Sequence, residues 1–101
     1  MISEAIKNIL SQKLEGLGIK VLPKEISLER PANRDHGDWS SNVALVTAKE
    51  AGRDARGLAQ EIVDFINENL PYGVEEVSSA GPGFINFRTS RALAYEVLLK
   101  V

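Results

Sequence analysis

At 101 residues, with 44% apolar and 26% charged side chains, the chain has the size and composition of one ordinary globular domain. Its net charge of −2 argues against a stand-alone nucleic-acid binder, because phosphate affinity comes largely from an excess of Lys and Arg. No apolar run approaches the roughly 18 residues of a membrane span, no basic-then-apolar leader follows Met1, and the lack of cysteine removes disulfides and fits the reducing cytosol.

Ile2, Ala5, Ile6, Ile9, Leu10, Leu14 and Leu17 recur at the three-and-four spacing of an amphipathic helix, which Gly16 and Gly18 stop. After Pro23, Ile26 and Leu28 alternate with polar neighbours in "EISLERP", predicting a strand that Pro31 ends. Ser40, Ser41 or Asn42 can cap a short helix that is apolar at Val43, Ala44, Val46 and Ala48 and ends at Gly52. Asp54 caps the next helix, striped by Leu58, Ile62, Phe65 and Ile66 and bounded by Pro71. "VEEVSS" and "FINFR" read as two strands joined by the turn "AGPG". From Ser90, Leu93, Val97 and Leu98 suggest a last helix over 90–101 that stops in mid-pattern, so a longer protein is expected beyond it. With no internal repeat, this order predicts one α+β domain, an antiparallel sheet backed by helices.

The stretch "RPANRDHGDWSSN" holds the only histidine and the only tryptophan. Asp35, His36 and Asp38 are too tightly spaced in a loop, and lack a fourth ligand at helical or hairpin separation, so no metal site is expected. His36-Gly37 is half of the His-x-Gly-His signature of class I aminoacyl-tRNA synthetases, but Asp38 follows and there is no second histidine. A lone His36 has no legible nucleophile to activate, so no catalytic residue is expected either. Residues 35 to 42 therefore read as scaffold: Asp35 and Asp38 bonding loop amides, Gly37 turning, Trp39 plugging the core and Asn42 starting a helix. "AGPGF" lacks the spacing and the Lys-Ser/Thr of a phosphate-cradling loop.

In "FINFR" the period of two places Ile85 and Phe87 on the core face and Phe84, Asn86 and Arg88 on the other. A ring, an amide and a guanidinium then stand roughly 6 to 7 Å apart. That row suits a splayed-out nucleotide, with base stacking on Phe84, edge pairing with Asn86 and phosphate on Arg88. The same pattern is also compatible with Phe84 under a loop at the sheet edge and Asn86 serving only local backbone.

"DHGDWSSNVALVTAKEAGRDARGLAQEIV", followed some forty residues on by "AGPGFINFR", closely resembles the N-terminal domain of the arginyl-tRNA synthetase family over essentially the whole chain. The resemblance implies a non-catalytic α+β module that precedes a class I catalytic domain and contacts the outer corner of tRNA(Arg), chiefly its D-loop. It assigns the nucleotide-holding role to Phe84 and Asn86. Some relatives add a polar residue three places before the aromatic, where this chain has Gly81 and no side chain. The implied partners are tRNA(Arg) and the remainder of the synthetase, with no membrane and no DNA. ATP, with Mg, is expected only in the full-length cytoplasmic ligase. A protein-interaction module working through the edge of its sheet is the alternative.

Overall fold

The computed structural model describes residues 2–33 and 37–90. Arg34, Asp35 and His36 lie outside the described residues, as does the helix expected over 90–101 apart from Ser90. Helix α1, Ile2–Gly16, buries the predicted stripe: Ile6, Leu10 and Leu14 have no exposed surface, and Ile2, Ile9 and Leu17 pack beside them. Ala5, on the edge of that stripe, is exposed. The chain leaves α1 through Gly18, at φ +83°, and the Ile19 N–H donates back to the Leu14 carbonyl.

The strand expected in "EISLERP" does not form. Pro23–Glu25 makes one 3-10 turn, started by proline and tied by the Leu22 N–H donating to the Glu25 carboxylate. The segment that follows is paired only at Glu29, which bridges Ser40. Ile26 is nonetheless buried and Leu28 half-buried against the core. The alternation thus marked which side chains go inward. It did not mark a ladder: only Glu29 meets the three-residue neighbouring strand, and Pro31 has no N–H to give.

That neighbour is strand β1, Trp39–Ser41, in a stretch that reads in the sequence as loop. Helix α2, Val43–Ala51, follows at once, with Asn42 at the N-cap position. The Asn42 side chain makes no capping bond; the Ser41 hydroxyl instead accepts from the Val43 N–H at 3.2 Å. Val43, Ala44, Thr47 and Ala48 face inward, while Val46 is 60% exposed, because its place in the helical turn is opposite that face. Buried Thr47 donates its hydroxyl to the Val43 carbonyl at 2.7 Å, so no polar group is stranded. Gly52, at φ +65°, ends α2 in a left-handed turn.

Helix α3, Ala55–Glu68, starts at Asp54, whose carboxylate accepts from the Gly57 N–H at 2.9 Å. Leu58, Ala59, Ile62, Val63 and Ile66 form its buried face. Phe65 is not on that face; it stays 39% exposed at the margin, with the Lys13 ammonium 4.4 Å from its ring centre.

Strands β2, Val74–Ala80, and β3, Phe84–Thr89, form the expected hairpin, and β1 pairs antiparallel on the other side of β3. The order β1-β3-β2 makes β3 the central strand. Helices α2 and α3 cover one face of the sheet, where Val77, Ile85 and Phe87 are buried. Full burial of a ring such as Phe87 contributes about 2 to 3 kcal/mol.

Candidate nucleic-acid interface

Strand β3 is fixed at both ends by glycine, for reasons local to each end. At the hairpin tip, Gly83 has φ +148°, and a Cβ there would lie 3.1 Å from the Leu45 backbone and from the Ala55 Cβ. The tip therefore sits directly on the starts of α2 and α3. At the other end, Gly37 has φ +106°, and a Cβ would come within 2.7 Å of the Phe87 carbonyl oxygen. The Asp38 N–H donates to that carbonyl at 2.7 Å. The Asp38 carboxylate accepts from the Thr89 N–H at 2.8 Å and from the Thr89 hydroxyl at 3.1 Å. Asp38 was expected to bond amides of its own loop. It reaches instead across to β3, because the close approach at Gly37 brings the loop against that strand.

Arg30 and Trp39 complete this clamp. The guanidinium carbon of Arg30 is 4.1 Å from the Trp39 ring centre, and Arg30 also donates to the Asp38 carbonyl at 3.4 Å. Trp39 is half-buried at the margin of the core. Among the described residues, no group of three or more His, Cys, Asp or Glu could hold a metal ion.

The two faces of β3 divide as the alternation predicts. Ile85 and Phe87 are wholly buried, and Phe84, Asn86 and Arg88 share the other face. That second face is less open than a sequence pattern suggests. Asn86 is only 6% exposed, and Phe84 and Arg88 are half-buried. The reason is the length of β1: it pairs with Ile85, Asn86 and Phe87 and with nothing beyond. Asn86 is thus flanked by Ser40 on one side and Ser78 on the other, whereas Phe84 and Arg88 have a strand neighbour on the β2 side alone.

The three candidates also differ in what they are already doing. Arg88 stands opposite Glu76 in register and is engaged in a contact of its own. The Asn86 side chain makes no hydrogen bond among the described residues, yet no polar atom of it is both sealed from solvent and unpartnered. Its amide therefore lies in a narrow polar slot between two serines, with donor and acceptor unspent. Phe84 borders the turn, 3.7 Å from the place a Gly81 Cβ would occupy.

A second feature beside the tip was not legible in the sequence. A recess of about 310 Å³ opens between α3 and the end of β2, lined by Arg56, Ala59, Gln60, Ser79, Ala80 and Gly81. Only the packing of a helix on a hairpin brings these residues together.

The sheet edges are poorly suited to take an added strand. In β2 the register shifts between Val74 and Glu76, and Glu75 and Glu76 project as exposed charges. The β1 edge is three residues long and partly covered by Glu29.

Comparison with known proteins places this geometry in a family. The model of the family described as arginyl tRNA synthetase N terminal domain matches residues 3–89. The arginine–tRNA ligase of Prosthecochloris aestuarii is 41% identical over 92 residues, covering 91% of this chain and 16% of that protein. The corresponding ligase of Pseudarthrobacter chlorophenolicus is 38% identical over 95 residues, covering 92% and 16%. Among solved structures, Thermus thermophilus arginyl-tRNA synthetase superposes with a TM-score of 0.80 at 29% identity, over 97% of this chain and 16% of that one. The chain thus spans about a sixth of the length of these relatives.

Proposed function

Because the chain belongs to the arginyl-tRNA synthetase N-terminal domain family, we propose that it is the tRNA-docking module of an arginine–tRNA ligase. The whole enzyme would join arginine to tRNA(Arg) at the expense of ATP, in the cytoplasm. ATP, with Mg, would be held by the remainder of the synthetase, and this module would do no chemistry. Its part is to hold the outer corner of the tRNA at the D-loop, through Phe84, Asn86 and Arg88.

The observation that carries this reading is the family match across residues 3–89, which takes in the whole of β3. The geometry adds a physical reason. A nucleobase laid on the Phe84 ring would put its polar edge over the slot that holds the unspent Asn86 amide. Stacking of one base on an aromatic side chain is worth about 1 to 3 kcal/mol, and an amide pairs well with a base edge. Arg88, held opposite Glu76, contributes less to phosphate attraction than its charge suggests. The net charge of −2 is compatible with a module that adds register while the rest of the enzyme supplies most of the affinity.

The test is steady-state aminoacylation by the full-length synthetase carrying Phe84→Leu, which keeps an apolar side chain but removes the stacking face. The KM for tRNA is expected to rise about tenfold, within the stacking range above, with kcat at saturating tRNA unchanged. A fall in kcat with KM unmoved would refute a remote docking contact.

A further inference from the structure

The four arginines among the described residues are not equivalent. Arg30 lies on Trp39, Arg53 is paired with Glu61, and Arg88 is engaged in a contact of its own. Arg56 alone makes no ion pair, hydrogen bond or ring contact among the described residues, and it is exposed at the mouth of the recess beside the hairpin tip.

The floor of that recess is polar but already satisfied. The Ser79 hydroxyl donates to the Gln60 side-chain oxygen at 3.0 Å, and the Gln60 amide donates to the Asp64 carboxylate at 2.8 Å. The carboxylate of Asp54 is likewise held by the Gly57 N–H. What the recess has left to offer a ligand is one guanidinium, with five donors in a planar fork that matches a phosphate. Charge along β2 favours the same end. Glu75 and Glu76 stand about 16 to 20 Å from Gly81 along the strand, and residues 78 to 84 carry no charge at all.

Gly81 joins the recess to the ring. It lines the recess and also faces Phe84, at φ +54° and with no side chain between the two. A strand of RNA whose base lies on Phe84 could therefore cross the bare backbone at Gly81 and bring an adjoining phosphate to Arg56.

We propose that Arg56 and the recess it borders form a phosphate subsite for the sugar–phosphate backbone of the RNA whose nucleotide occupies Phe84 and Asn86. The inference rests on the docking reading and extends it from the face of the sheet to the flank of α3. The base contact would set which nucleotide is held; the Arg56 contact would set the direction in which the strand leaves it.

The experiment is equilibrium binding of a tRNA(Arg) transcript to the full-length synthetase between about 50 and about 200 mM salt. Wild type, Arg56→Gln, Arg56→Lys and Phe84→Leu are compared, with thermal melts to establish that all four are folded. Arg56→Gln is expected to lower the slope of log K against log salt by about one. Its defect should shrink about threefold across that salt range. Arg56→Lys should restore the slope, and Phe84→Leu should weaken binding with the slope intact. If Arg56→Gln matched wild type while Phe84→Leu weakened binding, the subsite would be refuted and the docking reading would stand. If neither substitution altered tRNA binding, the docking reading would fail and the subsite with it.

Discussion

The loop at residues 30 to 42 and the tip of the β2–β3 hairpin make an instructive pair. The loop is dense in reactive residue types, while the tip is glycine, proline, one aromatic and small polar side chains. In the described part of the loop those types are spent on the fold. Asp38 binds Thr89, Arg30 stacks on Trp39, and Gly37 lets the chain touch Phe87. Beside the tip the reverse holds: the Asn86 amide, on β3, and the Arg56 guanidinium, on α3, have no partner among the described residues. Unspent bonding capacity, rather than richness in reactive residues, distinguishes a surface that can bind something.

This contrast predicts that loop substitutions damage stability, and tip substitutions damage binding. The largest loss is expected for Gly37→Ala. A methyl 2.7 Å from the Phe87 carbonyl, on a backbone at φ +106°, should cost about 3 kcal/mol or more. Thermal unfolding should register that as a drop of at least 10 °C, at roughly 4 to 8 °C per kcal/mol for a domain of this size. A melting curve like wild type would mean that the loop does not clamp β3. Asp38→Ala should come next, at about 1 to 2 kcal/mol, since it strips two hydrogen bonds from Thr89. Below its melting range this variant should bind tRNA within about twofold of wild type; a larger defect would move Asp38 from scaffold to interface. The smallest effect belongs to Arg30→Ala, where an exposed cation–π contact is worth about 0.5 to 1 kcal/mol. Should it instead reduce tRNA affinity with little change in melting temperature, the loop would be part of the docking surface and the division drawn above would be wrong.

Much of the fold was legible in order along the chain. Apolar periodicity located α1 and α3, Asp54 and Gly52 marked helix ends, and "AGPG" between two strand-like runs marked the hairpin. What escaped has a common cause. Three residues are too few to show a period, so β1 read as loop, and Ile26 and Leu28 alternated without a partner strand to pair with. Periodicity likewise put Val46 and Phe65 with the apolar sets, although their angular positions leave both exposed. At the candidate site, alternation separated the faces of β3 correctly but could not foresee that Ser40 and Ser78 would close around Asn86.

Alternation and helical period are properties of the chain itself, set by where successive Cβ atoms point. They were enough to determine the elements, the core face of β3 and the residues placed in line on its other face. Strand order is a different kind of fact, because it depends on which segments meet. The central position of β3, the seclusion of Asn86 and the meeting of Arg56 with Gly81 all follow from that order and from α3 lying against the hairpin. Residues 25 positions apart come together there through packing of the core beneath them, which no local pattern records.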